Sequence, residues 1–336
     1  MRKHLALLLF GWLLILNAQL AFGQSAQTVA AAKKEGGRVV LYTSMETFTA
    51  DALKAAFEKK TGLQVEYWRG GSTEVLDRVL SEHRVGKPVF DVVAITGDHM
   101  RLMANEGAIG KYESPSLKAF AKDAIDPVLG ARYRNIMYGV IYNKALLKSG
   151  EYPKTLEDIV KPEYRGKLVM PHPTGHTLTT QWLASLDKIM AKPRAEKFIH
   201  DLAAAKPIFV ESIVPAADRV GTGETPVGIT FARFVLTYNK QGANLDYIRD
   251  YNMLGDGQYI NIGAKPPRPA TAKAFIDFFL DEESMKIQAD TGEFVNRKGV
   301  YPPLADADKI KFVQMYSFGK EDFEAKKKEY QKIFFQ

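Results

Sequence analysis

Apolar positions along the chain recur with two periods, and the two alternate. Residues 37–42 form a short apolar, β-rich run, and 49–60 then place Leu53, Ala56 and Phe57 at helical spacing before Gly62. This predicts a strand, a loop and a helix, with Gly62 as the stop. The pattern returns at once. Leu63, Val65 and Tyr67 alternate as a strand, Arg69, Gly70 and Gly71 make a loop, and Ser72 or Thr73 caps a helix carrying Val75, Leu76, Val79 and Leu80. A third strand is predicted over 89–95, and after Thr96, Gly97 and Asp98 a helical run carries Met100, Leu102 and Met103. Strands alternating with helices through short connections predict an α/β fold, with a largely parallel sheet covered by helices on both faces.

A second series follows without repeating the first in sequence. Residues 167–170 read as a strand, 171–177 as a loop, and 179–190 as a helix with Trp182, Leu183, Leu186 and Met190 on one side. Short strands are predicted over 208–210 and 227–230, with Pro215 at a helix start between them and a turn over 221–223. Helices are predicted over 272–280 and 282–291, with Gly292 as a stop, and 322–335 reads as a charged amphipathic helix docked on the surface. Two α/β domains are therefore expected.

The amino terminus obeys neither period. Arg2, Lys3 and His4 precede an apolar run from Leu5 to Leu16, and Ala21, Phe22 and Gly23 stand before Gln24. A basic start, an apolar stretch of about a dozen residues and small residues at a cut describe a cleaved secretory signal peptide over 1–23. Gly11 and Asn17 break the run short of the about 20 residues a membrane span needs. The chain has 336 residues, 46% hydrophobic and 25% charged, which suits a packed two-domain protein. It has no cysteine, so disulfide frameworks, thiolate metal sites, cysteine nucleophiles and a thiol-linked lipid anchor are excluded. The net charge of +7 falls by two when Arg2 and Lys3 leave, and the remaining basic residues alternate with acids, so no nucleic-acid partner is expected.

Six segments carry a resemblance: VVLYTSMETFTADALKAAFEKKTGLQVEYWRGGS, FDVVAITGD, YGVIYNKALL, YRGKLVMPHPTG, VGTGETPVGITF, and ATAKAFIDFFLDEES with TGEFVNRKG. In this order and behind a leader, they resemble the type II periplasmic solute-binding proteins of ABC importers, in the extracellular solute-binding group of iron(III), phosphonate, sugar-phosphate and polyamine binders. The resemblance implies two lobes joined by crossing strands, with lobe 1 over 24–133 and 262–336 and lobe 2 over 134–261. It implies a ligand in the interlobe cleft, hinge closure around it, a periplasmic location, an inner-membrane permease as partner, a monomer, and no cofactor or resident metal.

Candidate ligand contacts lie in the loops after the strands. Thr43 and Ser44 follow the first strand, Gly71, Ser72 and Thr73 the second, and Thr174, Gly175, His176 and Thr177 precede a helix in the second domain. Helix amino termini offer unpaired N–H groups, so hydroxyls and glycines there make anion cradles; the same residues also serve as plain helix caps. Asp98 suits a cationic amine or the cap of the next helix. Trp68, Tyr138 and Tyr142 suit either cleft walls or core.

Iron(III) is the alternative cargo. The iron-binding members that this chain resembles carry two adjacent tyrosines after the strand matching 227–230, whereas the residues here are Phe231, Ala232, Arg233 and Phe234. A guanidinium repels a trivalent cation and grips a phosphate, phosphonate or carboxylate; the other reading of Arg233 is an exposed helix arginine. His172 and His176 lie four apart, but Pro171, Pro173 and Gly175 make the stretch a loop, so no helical metal pair forms. No nucleophile elbow, HExxH helix or paired carboxylates with an obvious base are present, so an exported enzyme is not expected. A receptor coupled to a membrane sensor shares the binding features of an importer component.

Overall fold

The computed structural model describes residues 27–249 and 252–336; the leader expected over 1–23 lies outside them. Two compact units emerge. The first comprises the described residues up to Tyr133, Gln258–Ile287 and Asn296–Lys298, and the second comprises Arg134–Gly257, Gln288–Val295 and Gly299–Gln336.

In the first unit β1 (Arg38–Thr43), α1 (Thr47–Thr61), β2 (Gln64–Arg69), α2 (Ser72–Arg84), β3 (Val92–Thr96) and α3 (Gly97–Asn105) alternate as patterned. β1 is buried at every position after Arg38 and pairs in parallel with β2 on one edge and β3 on the other. A continuous apolar strand is what a central parallel position demands. α1 ends at Gly62, whose left-handed backbone (φ 70°) turns its N–H back onto the Glu58 carbonyl. α2 buries Val75, Leu76 and Val79 against Tyr42, Phe90, Val93 and Met100. Each fully buried side chain of this kind contributes about 1.5–3 kcal/mol. The third strand starts at Val92 rather than at 89. Val89 is exposed, and the buried Asp91 carboxylate accepts the Val40 N–H, so this stretch is a pinned loop.

β4 (Ile125–Asp126) and β5 (Gly130–Asn143) follow, and β5 carries the chain into the second unit. There β6 (Leu168–Pro171), α4 (Thr177–Ala184), α5 (Lys192–Ala204), β7 (Ile208–Val210), α6 (Ile213–Gly221), β8 (Val227–Phe231), α7 (Phe234–Asn239) and β9 (Leu245–Tyr247) build the second α/β layer. β6 lies parallel between β7 and β8, and β8 runs antiparallel to β5. The helix expected over 179–190 stops at Ala184, and a 3-10 turn, Leu186–Lys188, carries the rest. Trp182, Phe198, Tyr138, Val169 and Ile229 share the core.

β10 (Asn252–Ile262) returns to the first unit and pairs antiparallel with β3. α8 (Pro269–Phe279) and α9 (Glu282–Ala289) come next. Two remote groups fix this return: Arg268 Nε pairs with Asp91 at 2.7 Å, and the Glu35 carboxylate accepts the N–H groups of Ala270 and Thr271 at the start of α8. The remaining elements are β11 (Phe294–Val295), β12 (Lys311–Gln314) and α10 (Lys320–Phe335). Residues 299–336 group with the second unit, where the sequence reading set them with lobe 1. The reason is aromatic packing: Phe334 and Phe335 lie on Phe209, with ring centroids 6.0 and 5.2 Å apart, and Tyr330 is buried in the same core. Among the described residues no helix is long and apolar enough to cross a membrane.

Candidate functional site

In the first unit the carboxyl ends of three neighbouring strands bring the candidate loops together. Thr43 is fully buried. Its hydroxyl donates to the Ala94 carbonyl at 2.9 Å and accepts the Met45 N–H at 3.0 Å, so it stitches β1 to β3. Ser44 and Ser72 meet across the loops, Ser72 Oγ donating to Ser44 Oγ at 3.1 Å. Thr73 Oγ1 lies 3.2 Å from His99 Nε2, and Thr96 Oγ1 lies 2.7 Å from His99 Nδ1. Burial holds the His99 imidazole below its ordinary pKa, opposed by the Asp98 and Asp77 carboxylates. Ser72 is the first residue of α2 rather than its cap; the cap is Gly71, whose N–H donates to Glu74 Oε2 at 2.8 Å. Asp98 stands in the first turn of α3, with Thr96 as the cap.

In the second unit β6, β7 and β8 run parallel, so the segments after them share one edge. His172 opens the loop after β6, and its Nδ1 accepts the Thr174 N–H at 3.3 Å and the Gly175 N–H at 3.1 Å. His176 caps α4 and Thr177 begins it. The His176 ring is 3.0 Å from Thr179 Oγ1, which is 2.8 Å from the Tyr138 hydroxyl. Burial lowers the pKa of His172 and of His176, which keeps both rings neutral at neutral pH. After β7, Ser212 caps α6, and the Thr230 hydroxyl of β8 donates to the Ile213 carbonyl at 3.0 Å.

Arg233 follows β8, but it is not an exposed helix arginine. Its side chain is only 12% exposed and faces Glu293 at 3.7 Å; the same carboxylate pairs with the buried Arg134 at 2.8 Å. Gly292 makes this approach possible. Its backbone has φ 95°, and a β-carbon there would sit 3.0 Å from the Arg233 backbone carbonyl and from its Cβ.

The candidates thus fall into two sets, one in each unit: Thr43, Ser44, Gly71, Ser72, Thr73 and Asp98 in the first, and Thr174, Gly175, His176, Thr177 and Arg233 in the second. Tyr138 and Tyr142 are core, and Trp68 is half-buried against Tyr42 with the Arg78 guanidinium over both rings. Among the described residues no group of three or more His, Asp or Glu side chains is arranged to hold a metal ion. Sequence reasoning missed His99 and Glu293. The first had a signal, a histidine three residues past a capping threonine at a strand end. The second had none, since its arginine partners lie far away in the chain.

Several solved structures share this fold. The substrate binding protein of an ABC transporter from Agrobacterium tumefaciens superposes with a TM-score of 0.72 at 14% identity, covering 90% of this chain and 96% of that one. Iron-bound HitA from Pseudomonas aeruginosa gives 0.68 at 20% identity, over 88% of this chain and 98% of that one. The periplasmic binding protein AfuA from Actinobacillus pleuropneumoniae, with fructose-6-phosphate bound, gives 0.64 at 21%, over 89% and 96%. The shared fold is that of type II periplasmic binding proteins. A model of the bacterial extracellular solute-binding protein family matches residues 52–316, and the chain belongs to that family.

Proposed function

We propose that this protein is the periplasmic solute-binding component of an ABC importer and that its solute carries an oxyanion, as a phosphonate, a phosphate ester or a carboxylate. The observation that carries this reading is the edge after β6, β7 and β8, where the chain position of Arg233, just past β8, shares a row of parallel strand ends with the amino termini of α4 and α6. Backbone N–H groups and a planar guanidinium are the standard means of holding an oxyanion. The hydroxyls of Ser44, Ser72 and Thr73 supply neutral hydrogen bonds from the first unit. In this reading the loaded protein delivers the solute to a membrane permease.

Ferric iron is the second reading, favoured by the iron-bound HitA among the similar structures. Against it stands the chemistry after β8: an arginine occupies the place where phenolates would serve, and burial pushes the nearby Tyr138 hydroxyl up, toward its neutral form. The test is a thermal-shift screen of the mature protein against phosphonates, sugar phosphates, dicarboxylates, polyamines and iron(III) citrate, since a bound ligand raises Tm by mass action. A rise with one of the anions is expected. A rise with iron(III) citrate alone, accompanied by a coloured protein, reverses the choice.

A further inference from the structure

We propose that His172 is a positioning residue whose neutral imidazole pins the 173–176 loop in its ordered form, and that protonation of this ring releases the loop. The proposal concerns the loop that the anion reading makes a ligand contact, and its value for binding rests on that reading.

The geometry fixes the protonation state. A backbone N–H can only donate, and two of them, from Thr174 and Gly175, converge on His172 Nδ1 at 3.3 and 3.1 Å. Nδ1 is therefore an acceptor, and the ring proton sits on Nε2. Thr174 Oγ1 is also within 3.2 Å of the same nitrogen. A β-carbon at residue 175 would meet His172 Cβ and Nδ1 at 3.4 Å, an ordinary van der Waals contact, so the hydrogen bonds to Nδ1 rather than a steric need for glycine define this approach. The loop is further closed by the His176 N–H, which donates to the His172 carbonyl at 3.0 Å. His172 thus organises the turn that leads into α4.

The ring is itself held from outside the loop. Phe335 of α10 stacks on it at 4.9 Å with an interplanar angle of 8°, and Phe209 of β7 lies 5.4 Å away. These contacts leave the ring plane little freedom, so Nδ1 is aimed at the loop by packing. The ionisable residues nearest in sequence to these contacts are Glu211, two after Phe209, Lys332, three before Phe335, and His176, four after His172. Burial is the cause of the lowered His172 pKa, with no charged neighbour adding to it.

Protonation would place a third hydrogen at Nδ1, facing two N–H donors. The acceptor is then lost and both amides must turn elsewhere. Because the folded state disfavours the proton, the pin is complete above the ordinary imidazole value and is lost as pH falls through the lower folded value. Acidification therefore loosens the loop.

The experiment uses the mature protein with 15N-labelled histidine, titrated from about pH 8 to about pH 5, the span over which imidazoles change charge. His172 is assigned by comparison with His172→Asn, whose Oδ1 keeps an acceptor near the Nδ1 position but does not titrate. The expected result is the Nε2–H tautomer, a depressed midpoint, and a Gly175 amide signal that moves with the same midpoint in wild type and stays still in His172→Asn. An Nδ1–H tautomer, or a Gly175 amide indifferent to the ring, overturns the pin without reference to any ligand. Calorimetry with inorganic phosphate as probe forms the second arm. Affinity should drop about tenfold in His172→Phe, which keeps the ring packing and loses the acceptor, and should recover in His172→Asn. Equal phosphate affinity in all three proteins removes the loop from the binding role. A wild type that binds no phosphate while the ring and amide titrate together upholds the pin and counts against the anion reading instead.

Discussion

The strand-end edges of the two units are built alike and charged differently. In the first unit the helices that follow β2 and β3 each carry an acid in the first turn, Glu74 in α2 and Asp98 in α3, and the Glu74 carboxylate already accepts the Gly71 N–H. In the second unit α4 and α6 carry no acid in the first turn, and Arg233 stands on the same edge. A carboxylate at a helix amino terminus satisfies the partial positive charge that an anion would otherwise seek. The first unit has spent that field on its own side chains and presents hydroxyls; the second has kept it. Similar topology therefore does not mean similar chemistry: of the two edges, the second is the one suited to an anion.

The largest way to break this contrast is to remove the group that shapes the second edge. Glu293 is 2% exposed beside Arg134, itself 1% exposed. Glu293→Ala leaves a buried guanidinium without this carboxylate and should cost about 3–5 kcal/mol of folding stability, read by urea unfolding. A cost below about 1 kcal/mol would mean that the pair behaves as an exposed ion pair does, and that Arg233 is not held by it. Next comes Arg233→Ala, which should weaken an anionic solute by about 1.5–3 kcal/mol in calorimetry, the range for a hydrogen bond to a charged group. Unchanged affinity takes Arg233 out of the site and makes the two edges equivalent.

Much of this was legible in the sequence, because strand, loop and helix announce themselves by local period and punctuation. Gly62 stops α1 where the pattern says, and Ser44, Ser72 and Thr73 do gather at neighbouring strand ends, as parallel pairing requires. Boundaries were less legible where tertiary contacts override propensity. Asp91 turns the start of β3 into a loop through a bond to Val40, and Ser185 closes α4 early with its hydroxyl on the Gln181 carbonyl. The roles of single side chains were least legible. Nothing near Arg233 in the sequence points to Glu293, and nothing near His172 points to Phe335, since both partners arrive from the far end of the chain.

The smallest and most exacting prediction concerns the histidines of the two edges. Burial lowers the pKa of His99 in the first unit and of His176 in the second, but only His99 has carboxylates, Asp98 and Asp77, working against that shift. Replacing Asp98 by Asn removes the larger of these two opposing causes, so the His99 pKa should fall further, while His176 should not move. The stability consequence has a definite sign. A folded-state imidazole that resists protonation contributes stability that is complete above the ordinary value of 6.5 and is lost as pH falls from there through the folded value. Asp98→Asn deepens that loss and makes the first unit more sensitive to acid. The same change should raise anion affinity at the amino terminus of α3 by only about 0.3–1 kcal/mol, the range for a surface charge at a helix end. Histidine NMR titrations of the two proteins decide it. A His99 midpoint that stays fixed or rises would show that the Asp98 carboxylate does not face the ring, and the negative character assigned to the first edge would then rest on Glu74 alone.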